Sequence, residues 1–187
     1  MLLEIAQMGQ PVLRAVGGEV DVETIRTPEF QAFLDSMIET MHEGHGIGLA
    51  APQVFKSSRI FVANIMPMPT EKSDGGVEVF INPKILGFSE EASGTWEGCL
   101  SIEGILVYVT RPLGIQVEYL DRHAEQKSMV IEGYAARVFQ HEFDHLDGIL
   151  TLDRAEDTRD IIIATELDAA QEDRRRRAQA SDEEEDA

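Results

Sequence analysis

The stretch H-E-F-D-H at residues 141–145 constrains this chain most, because its chemistry requires a helix. In a helix, positions i and i+4 lie on one face about one turn apart, so His141 and His145 can reach the same metal ion. Glu142 is rotated by about 100° from His141 and can face the open side of the metal without binding it, which suits a general base. Gly148 can end the helix in a left-handed conformation. We therefore predict a metal-binding helix, with an ordinary helix that happens to carry two histidines as the alternative.

The length and composition indicate one folded domain. The chain has 187 residues, of which 43% are hydrophobic and 27% are charged, enough for one sizeable core. A net charge of −19 argues against a nucleic-acid-binding fold, although a local basic patch remains compatible with it. The N-terminus lacks the pattern of a secretory signal, and no apolar run approaches about 18 residues. We expect no membrane span and a cytoplasmic location.

A third metal ligand is available in Cys99, the only cysteine of the chain. It cannot form an internal disulfide, so in a reducing compartment it is a candidate ligand or nucleophile, with an inert core residue as the alternative. Together with His141 and His145 it gives three protein ligands and leaves a fourth position open. Metal sites with an open position are typically catalytic.

The order of predicted secondary structure indicates an α+β fold. Thr27 followed by Pro28 is typical of a helix start, and apolar residues at helical spacing then predict an amphipathic helix that ends near Gly44. Segments rich in β-branched and aromatic residues predict strands at 59–65, 78–81, 105–109, 113–120 and 127–131. Turn residues at 73–76 and 121–125 separate some of them. The strands cluster between the two predicted helices, so we do not expect a βαβ alternation.

The C-terminal part of the sequence becomes strongly charged. Three isoleucines at 161–163 and Leu167 predict a helix that docks on the body. From Gln171 onward apolar residues almost vanish, a composition typical of disorder. We therefore predict a catalytic domain over residues 1–170 and a charged, disordered tail over residues 171–187.

Two further stretches carry candidate chemistry. In G-I-G-L-A-A-P-Q at 46–53 the glycines allow another backbone to approach closely, and Gln53 supplies an amide donor. A tight loop that packs small residues is the alternative. The second stretch, E-G-C-L-S at 97–101, contains Cys99. With H-E-F-D-H, these stretches resemble in order the three signatures of the peptide deformylase family, and the similarity extends from Gln7 to about Arg154.

The resemblance implies a fold with antiparallel sheets around a central metal-binding helix, flanked by an N-terminal amphipathic helix and a C-terminal helix. It also implies a hydrolase that removes the formyl group from the N-terminal formyl-methionine of newly synthesised polypeptides. Cys99, His141 and His145 would hold one divalent metal ion, and Glu142 would be the acid/base. The ligand types alone favour zinc, whereas the resemblance implies Fe²⁺, with Ni²⁺, Co²⁺ or Zn²⁺ able to occupy the site.

The remaining site residues follow from the same resemblance. Gln53 and the backbone N–H of Leu100 would stabilise the negative charge on the formyl oxygen. The backbone at Ile47 and Gly48 would pair with the peptide as an added strand. Val138 would line an apolar recess for the methionine side chain.

The chain also departs from the family pattern at three positions. Phe55 stands where a glycine commonly follows the first signature, and Glu103 and Leu106 stand where proline and often arginine follow the second. None of the three is a predicted ligand, so they bear on substrate preference. The resemblance further implies that Glu97 pairs with Arg111 and braces the cysteine loop.

Two other functions compete with this interpretation. An H-E-x-x-H peptidase generally completes its site with a downstream carboxylate or histidine, and no histidine follows His145. A structural metal module or a non-catalytic ribosome-associated protein would not need the base at Glu142. The sequence therefore favours the deformylase.

A basic block near the C-terminus suggests a partner. Nascent chains emerge from ribosomes, whose surface is rich in phosphate, and Arg174, Arg175, Arg176 and Arg177 offer a transient contact to ribosomal RNA. In the alternative, these arginines form a solvated charge run that pairs with neighbouring acidic residues.

Overall fold

The computed structural model describes residues 1–65 and 76–185. Within those ranges no helix combines the length and the apolar character that a membrane span would need. The helices are α1 (Val22–Ile25), α2 (Pro28–Glu43), α3 (Gly133–Leu146) and α4 (Leu167–Glu185). The strands are β1 (Gly48–Ala50), β2 (Ile60–Asn64), β3 (Val77–Phe88), β4 (Ala92–Cys99), β5 (Ile102–Pro112), β6 (Gly114–Leu120), β7 (Gln126–Glu132) and β8 (Ile161–Ile163).

The strands form two antiparallel sheets. The larger sheet has the order β1-β2-β3-β6-β7, and the smaller one has the order β4-β5-β8. In the larger sheet, Val62 of β2 lies opposite Leu49 of β1 and Val79 of β3. The smaller sheet is a long hairpin of β4 and β5, to which β8 adds along residues 105–107.

The larger sheet separates α2 from α3, because the side chains of β2 alternate between its two faces. Ile60 and Val62 pack in one hydrophobic cluster with Met37 of α2. Phe61 and Ala63 pack in a second cluster with residues of α3. Four consecutive residues of β2 are therefore buried, which explains why its sequence reads as a continuous apolar run.

An aromatic cluster fixes α3 against the sheet. The ring of Phe139 on α3 meets Phe61 and Phe80 edge-on, with centroid distances of 4.9 and 5.1 Å. Phe61 and Phe80 stack on each other at 4.7 Å. Pairs of this kind contribute about 0.5–1.5 kcal/mol beyond their area burial. The helix that carries the histidines is thus held by a rigid part of the core.

Most of the predicted elements are confirmed. Thr27 caps α2 through a hydrogen bond from the N–H of Phe30 to its hydroxyl oxygen, and α2 ends immediately before Gly44. The five predicted strands correspond to β2, β3, β5, β6 and β7, and the α+β class with antiparallel sheets around α3 is confirmed. The turn at 121–125 is present. The turn predicted at 73–76 lies, apart from Gly76, outside the described residues.

Two segments differ from the sequence-based expectation. The prediction of a helix at 161–163 is wrong, because these isoleucines form β8 on the open edge of β5, where β-branched side chains are favoured. The strand β4 was not predicted, since Gly94 and Gly98 lower its strand propensity. Pairing with β5 over its whole length compensates for that low propensity.

The predicted disorder of residues 171–187 is wrong over residues 171–185, which belong to α4. The helix is anchored by Arg174, whose guanidinium lies 3.4 Å from the centroid of the Tyr108 ring and donates to Asp160 at 2.6 Å. Arg177 donates to the same carboxylate at 3.1 Å. The Asp160 carboxylate is buried at 4% exposure, and the side chains of Arg174 and Arg177 are about 30% exposed. Composition alone could not reveal this anchor, because Asp160 and Tyr108 lie far from the arginines in sequence.

Candidate metal centre

The helix α3 brings both histidines to one side of the molecule. Phe139 and Leu146 are completely buried in the core, and this orientation turns His141 and His145 towards the β4–β5 hairpin. Gly148 follows with φ of +71°, the left-handed conformation predicted for it. A methyl group there would lie 2.6 Å from the carbonyl oxygen of Arg14, so the end of the helix also requires a glycine for space.

The hairpin brings Cys99 to the histidines. Cys99 is the last residue of β4 and pairs with Ile102 across the tight turn to β5. Its Sγ lies 3.4 Å from Nε2 of His145. The ligand atoms of Cys99, His141 and His145 all lie within 4.8 Å of one another. The structure therefore brings together the three predicted metal ligands, from segments more than 40 residues apart.

A divalent metal ion fits this donor set. With metal–sulfur and metal–nitrogen distances of about 2.3 and 2.1 Å, a tetrahedral ion separates two such ligands by about 3.6 Å, close to the distance between Cys99 and His145. Burial lowers the pKa of His145 well below its ordinary value, with nearby His141 and Arg111 acting in the same direction, so its imidazole is available as a neutral ligand. Among the described residues, Oε2 of the buried Glu142 has no hydrogen-bond partner.

A buried glutamate orients the first histidine. Oε2 of Glu97 lies 3.0 Å from Nδ1 of His141, which leaves Nε2 of that ring for a metal. Arg111 donates two hydrogen bonds to the same carboxylate, at 2.8 and 3.0 Å, so the predicted pairing is present. Arg137 donates a third at 2.7 Å. Burial alone would raise the pKa of Glu97, but the hydrogen bonds from His141 and Arg111 outweigh it and lower the pKa to about 2.

Two members of this network, Arg137 and Asp144, were not predicted from the sequence. Arg137 links Glu97 to the carbonyl oxygen of Val109 on β5, at 2.9 Å. Asp144 accepts a hydrogen bond from Arg111 at 2.9 Å and is also paired with Arg154. Their spacing could have indicated that they lie beside the site, because Arg137 and Asp144 are seven residues apart and share a helical face with His141. Only the positions of their partners could show what they bind.

The second residue of the motif, Glu142, has the properties of an acid/base group. It is 4% exposed, and burial raises its pKa to about 7 even though the positive charges of His141 and Arg111 act in the opposite direction. An acid/base group is most effective when its pKa lies near the working pH. Glu142 can therefore accept and return a proton near neutral pH.

The predicted oxyanion donors, Gln53 and Leu100, lie beside Cys99. Gln53 is 2% exposed, and its Oε1 accepts a hydrogen bond from the N–H of Ala50 at 2.8 Å. That contact turns its amide nitrogen towards Sγ of Cys99, at 3.5 Å, and towards the hydroxyl of Ser101, at 3.2 Å. Leu100 lies between Cys99 and Ser101 and lines the same pocket. The buried Ser101, which orients Gln53, was not singled out from the sequence.

A pocket of about 630 Å³ opens in front of these groups. The predicted substrate-binding residues Ile47, Gly48 and Val138 all line it. In the larger sheet β1 pairs only with β2, so β1 is an edge strand beside the pocket. The pocket also includes residues that the sequence did not single out, namely Ile5, Trp96, Tyr134 and Ala164.

The fold and the donor set together define a metal-dependent hydrolase. Comparison with known proteins gives the family: the model described as polypeptide deformylase matches residues 2–160. A peptide deformylase 2 from Nostoc sp. is 43% identical over 157 residues, covering 83% of this chain and 87% of that protein. A peptide deformylase from Salinibacter ruber is 43% identical over 159 residues, covering 82% and 80%. The crystal structure of the Thermotoga maritima peptide deformylase is similar with a TM-score of 0.75 at 39% identity, covering 84% of this chain and 99% of that one.

The chain therefore belongs to the peptide deformylase family. It is a hydrolase of the N-formyl group that newly synthesised polypeptides carry on their N-terminal methionine. The family is metal-dependent, in agreement with the Cys/His/His donor set.

Proposed function

We propose that Cys99, His141 and His145 hold one divalent metal ion, Fe²⁺ in the cell, and that Zn²⁺, Ni²⁺ or Co²⁺ can replace it. The observation that carries this proposal is the convergence of the three ligand atoms within 4.8 Å beside the buried Glu142. A divalent ion held there supplies Lewis acidity, which lowers the pKa of water from about 15.7 to about 7. The soft thiolate favours a transition metal over Mg²⁺ or Ca²⁺.

The residues around the metal carry out the proton transfer and stabilise the negative charge that develops on the formyl oxygen. Glu142 takes the proton of the attacking water and delivers it to the leaving amine, a role for which its raised pKa and its free Oε2 suit it. Gln53 and the backbone N–H of Leu100 donate hydrogen bonds to the formyl oxygen as it becomes negative. Removal of one such donor typically lowers the rate by about 10²–10³-fold.

The substrate is a polypeptide that begins with formyl-methionine. Its methionine side chain enters the recess that includes Val138, and its backbone pairs with the open edge of the chain at Ile47 and Gly48. A peptide deformylase from Acinetobacter baumannii, 34% identical to this chain with a TM-score of 0.75, has a crystal structure with Met-Ala-Ser bound. This peptide corresponds to the product of the proposed reaction.

A transient ribosome contact in the cytoplasm is the second part of the proposal. Of the four arginines predicted for it, Arg174 and Arg177 already bind Asp160. Arg175 is exposed, and Arg176 is 72% exposed at its side chain and pairs with the neighbouring Glu172. The contact to ribosomal RNA therefore runs through Arg175 and Arg176, with the other two arginines holding the helix in place.

One experiment tests the catalytic proposal. The protein is purified without oxygen, its metal content is measured, and release of formate from a formyl-Met-Ala-Ser peptide is followed. About one divalent transition-metal ion per chain, with turnover that a chelator removes and Fe²⁺ or Ni²⁺ restores, is the expected result. Turnover by metal-free protein, or full metal binding by a Cys99→Ala variant, would contradict it.

A further inference from the structure

One charged side chain stands apart from the others around the catalytic pocket. The pocket is lined by four residues that carry a carboxylate or a guanidinium group, namely Glu97, Glu103, Arg137 and Glu142. Three of them are at most 7% exposed, and Glu97 pairs with Arg137. Only Glu103 is exposed to solvent. A substrate that extends out of the pocket therefore meets one accessible carboxylate there, that of Glu103, together with the exposed imidazole of His45.

The carboxylate of Glu103 is available for a ligand. It makes no ion pair or side-chain hydrogen bond with any residue in the ranges 1–65 and 76–180. Glu103 is the second residue of β5 and precedes Ile105, where pairing with β8 begins. Its strand therefore has an open edge at this point, beside the pocket. An unpaired carboxylate at the mouth of a binding site interacts with whatever charge the bound peptide carries there.

The residues that follow provide an apolar surface. Ile105 and Leu106 are half-buried and line the same pocket as Glu103. Lysine and arginine side chains bind to such surfaces through their methylene groups while the charged end stays in water. An acidic side chain is too short for this arrangement and would be repelled by Glu103.

We propose that Glu103 is a specificity-determining residue, which selects formylated peptides with lysine or arginine at the second or third position over peptides with glutamate there. This inference rests on the proposed function. The net charge of −19 acts in the same direction, because it attracts basic peptides over a longer range. An exposed ion pair changes an equilibrium by about two- to fivefold, which sets the size of the expected preference.

Four peptides and three proteins test the proposal. The peptides are formyl-Met-Lys-Ala-Ser, formyl-Met-Ala-Lys-Ser and their two glutamate counterparts, and kcat/KM is measured for each. The proteins are the wild type, Glu103→Gln and Glu90→Gln, which removes one exposed acidic charge outside the pocket. In the wild type and in Glu90→Gln, kcat/KM should be about two- to fivefold higher for the lysine peptide than for its glutamate counterpart, at the second position, the third position or both. In Glu103→Gln this preference should fall to at most half of the wild-type ratio.

Salt provides an independent readout. Because the Debye length decreases from about 10 Å at 0.1 M to about 3 Å at 1 M, the wild-type preference should shrink with salt, and that of Glu103→Gln should change less. Equal kcat/KM for lysine and glutamate peptides in the wild type, or the same preference in Glu103→Gln as in Glu90→Gln, would overturn the inference. The neutral peptide formyl-Met-Ala-Ser distinguishes failure of this inference from failure of the proposed function. If it is turned over but lysine and glutamate peptides are not distinguished, only the role of Glu103 is refuted. If no peptide is turned over, the proposed function is refuted and the inference with it.

Discussion

Gly48 packs directly against the side chain of Glu142, and the two positions have room for only one side chain. A methyl group on Gly48 would lie 2.6 Å from Cδ and 2.7 Å from Cγ of Glu142, well inside van der Waals contact. Gly48 belongs to the first signature of the sequence and Glu142 to the third. The glycine of one signature therefore makes the space that the glutamate of the other, the proposed acid/base, occupies.

A Gly48→Ala variant should displace Glu142 and lose activity while it stays folded. A shift of about 1 Å in a catalytic group can cost about 10²-fold in rate, so we expect kcat to fall by about that factor with the metal content unchanged. Gly87→Ala is the matched control, since a methyl group there meets no atom within 4 Å. Wild-type kcat in Gly48→Ala would show that Glu142 tolerates the displacement.

A Glu142→Gln variant should keep its metal and lose most of its turnover, because Glu142 is not among the three proposed ligands. General acid–base groups contribute about 10²–10⁴-fold, which gives the expected decrease in kcat. Metal content and kcat are measured on the same sample, with His145→Ala as the variant that should lose the metal. If Glu142→Gln lost its metal together with its activity, Glu142 would be a ligand and not the base.

An Arg111→Met variant should destabilise the protein by about 3 kcal/mol, because removing one member of a buried ion-pair network leaves charge without compensation. Arg111 is 4% exposed and binds both Glu97 and Asp144. Urea unfolding gives the change in the free energy of unfolding. Arg159→Met, which breaks an exposed pair with Asp157, should have little effect. Equal effects of the two substitutions would mean that the network around Glu97 adds no stability.

The stability of the protein should depend on pH through Glu78. Its pKa is raised above its ordinary value, chiefly by burial, and its Oε1 accepts a hydrogen bond from Tyr119 at 3.3 Å. A carboxyl group whose pKa is higher in the folded chain costs folding free energy once it ionises. The penalty is absent below the unfolded pKa of about 4.3 and grows until the folded pKa is passed.

A Glu78→Gln variant tests this dependence. Unfolding in urea at pH 4.0 and pH 7.5 should show the variant gaining stability relative to the wild type at the higher pH. A difference between the two proteins that stays constant with pH, or that favours the wild type at pH 7.5, would contradict the raised pKa.

The ribosome contact should depend on Arg175 and Arg176. A double Arg175→Ala/Arg176→Ala variant should co-sediment less with ribosomes at low salt, and the slope of log affinity against log salt should fall by about 1–2. Its kcat/KM on a short formyl-Met peptide should stay the same. Lys56→Ala/Lys84→Ala removes two exposed positive charges elsewhere and serves as the control. Equal co-sedimentation of the two double variants would exclude a role of α4.

The short-range patterns of the sequence determined the central chemistry. The spacing of His141 and His145 fixes their common face once a helix forms, and the cap at Thr27 and the left-handed turn at Gly148 are recognisable from neighbouring residues. Such features follow from backbone geometry over one or two turns. The α+β class could be predicted for the same reason, because alternation and helical spacing are local properties of the chain.

The tertiary structure alone decided which distant residues support that chemistry. Pairing with β5 makes a strand of the glycine-rich β4, and the network of Glu97 joins it to Arg137 on α3. Likewise, Asp160 and Tyr108 convert part of the predicted disordered tail into a docked helix. The side-chain contacts among them join residues separated by 14 to 66 positions. Their free energy depends on burial and on the meeting of opposite charges, which a local pattern does not contain.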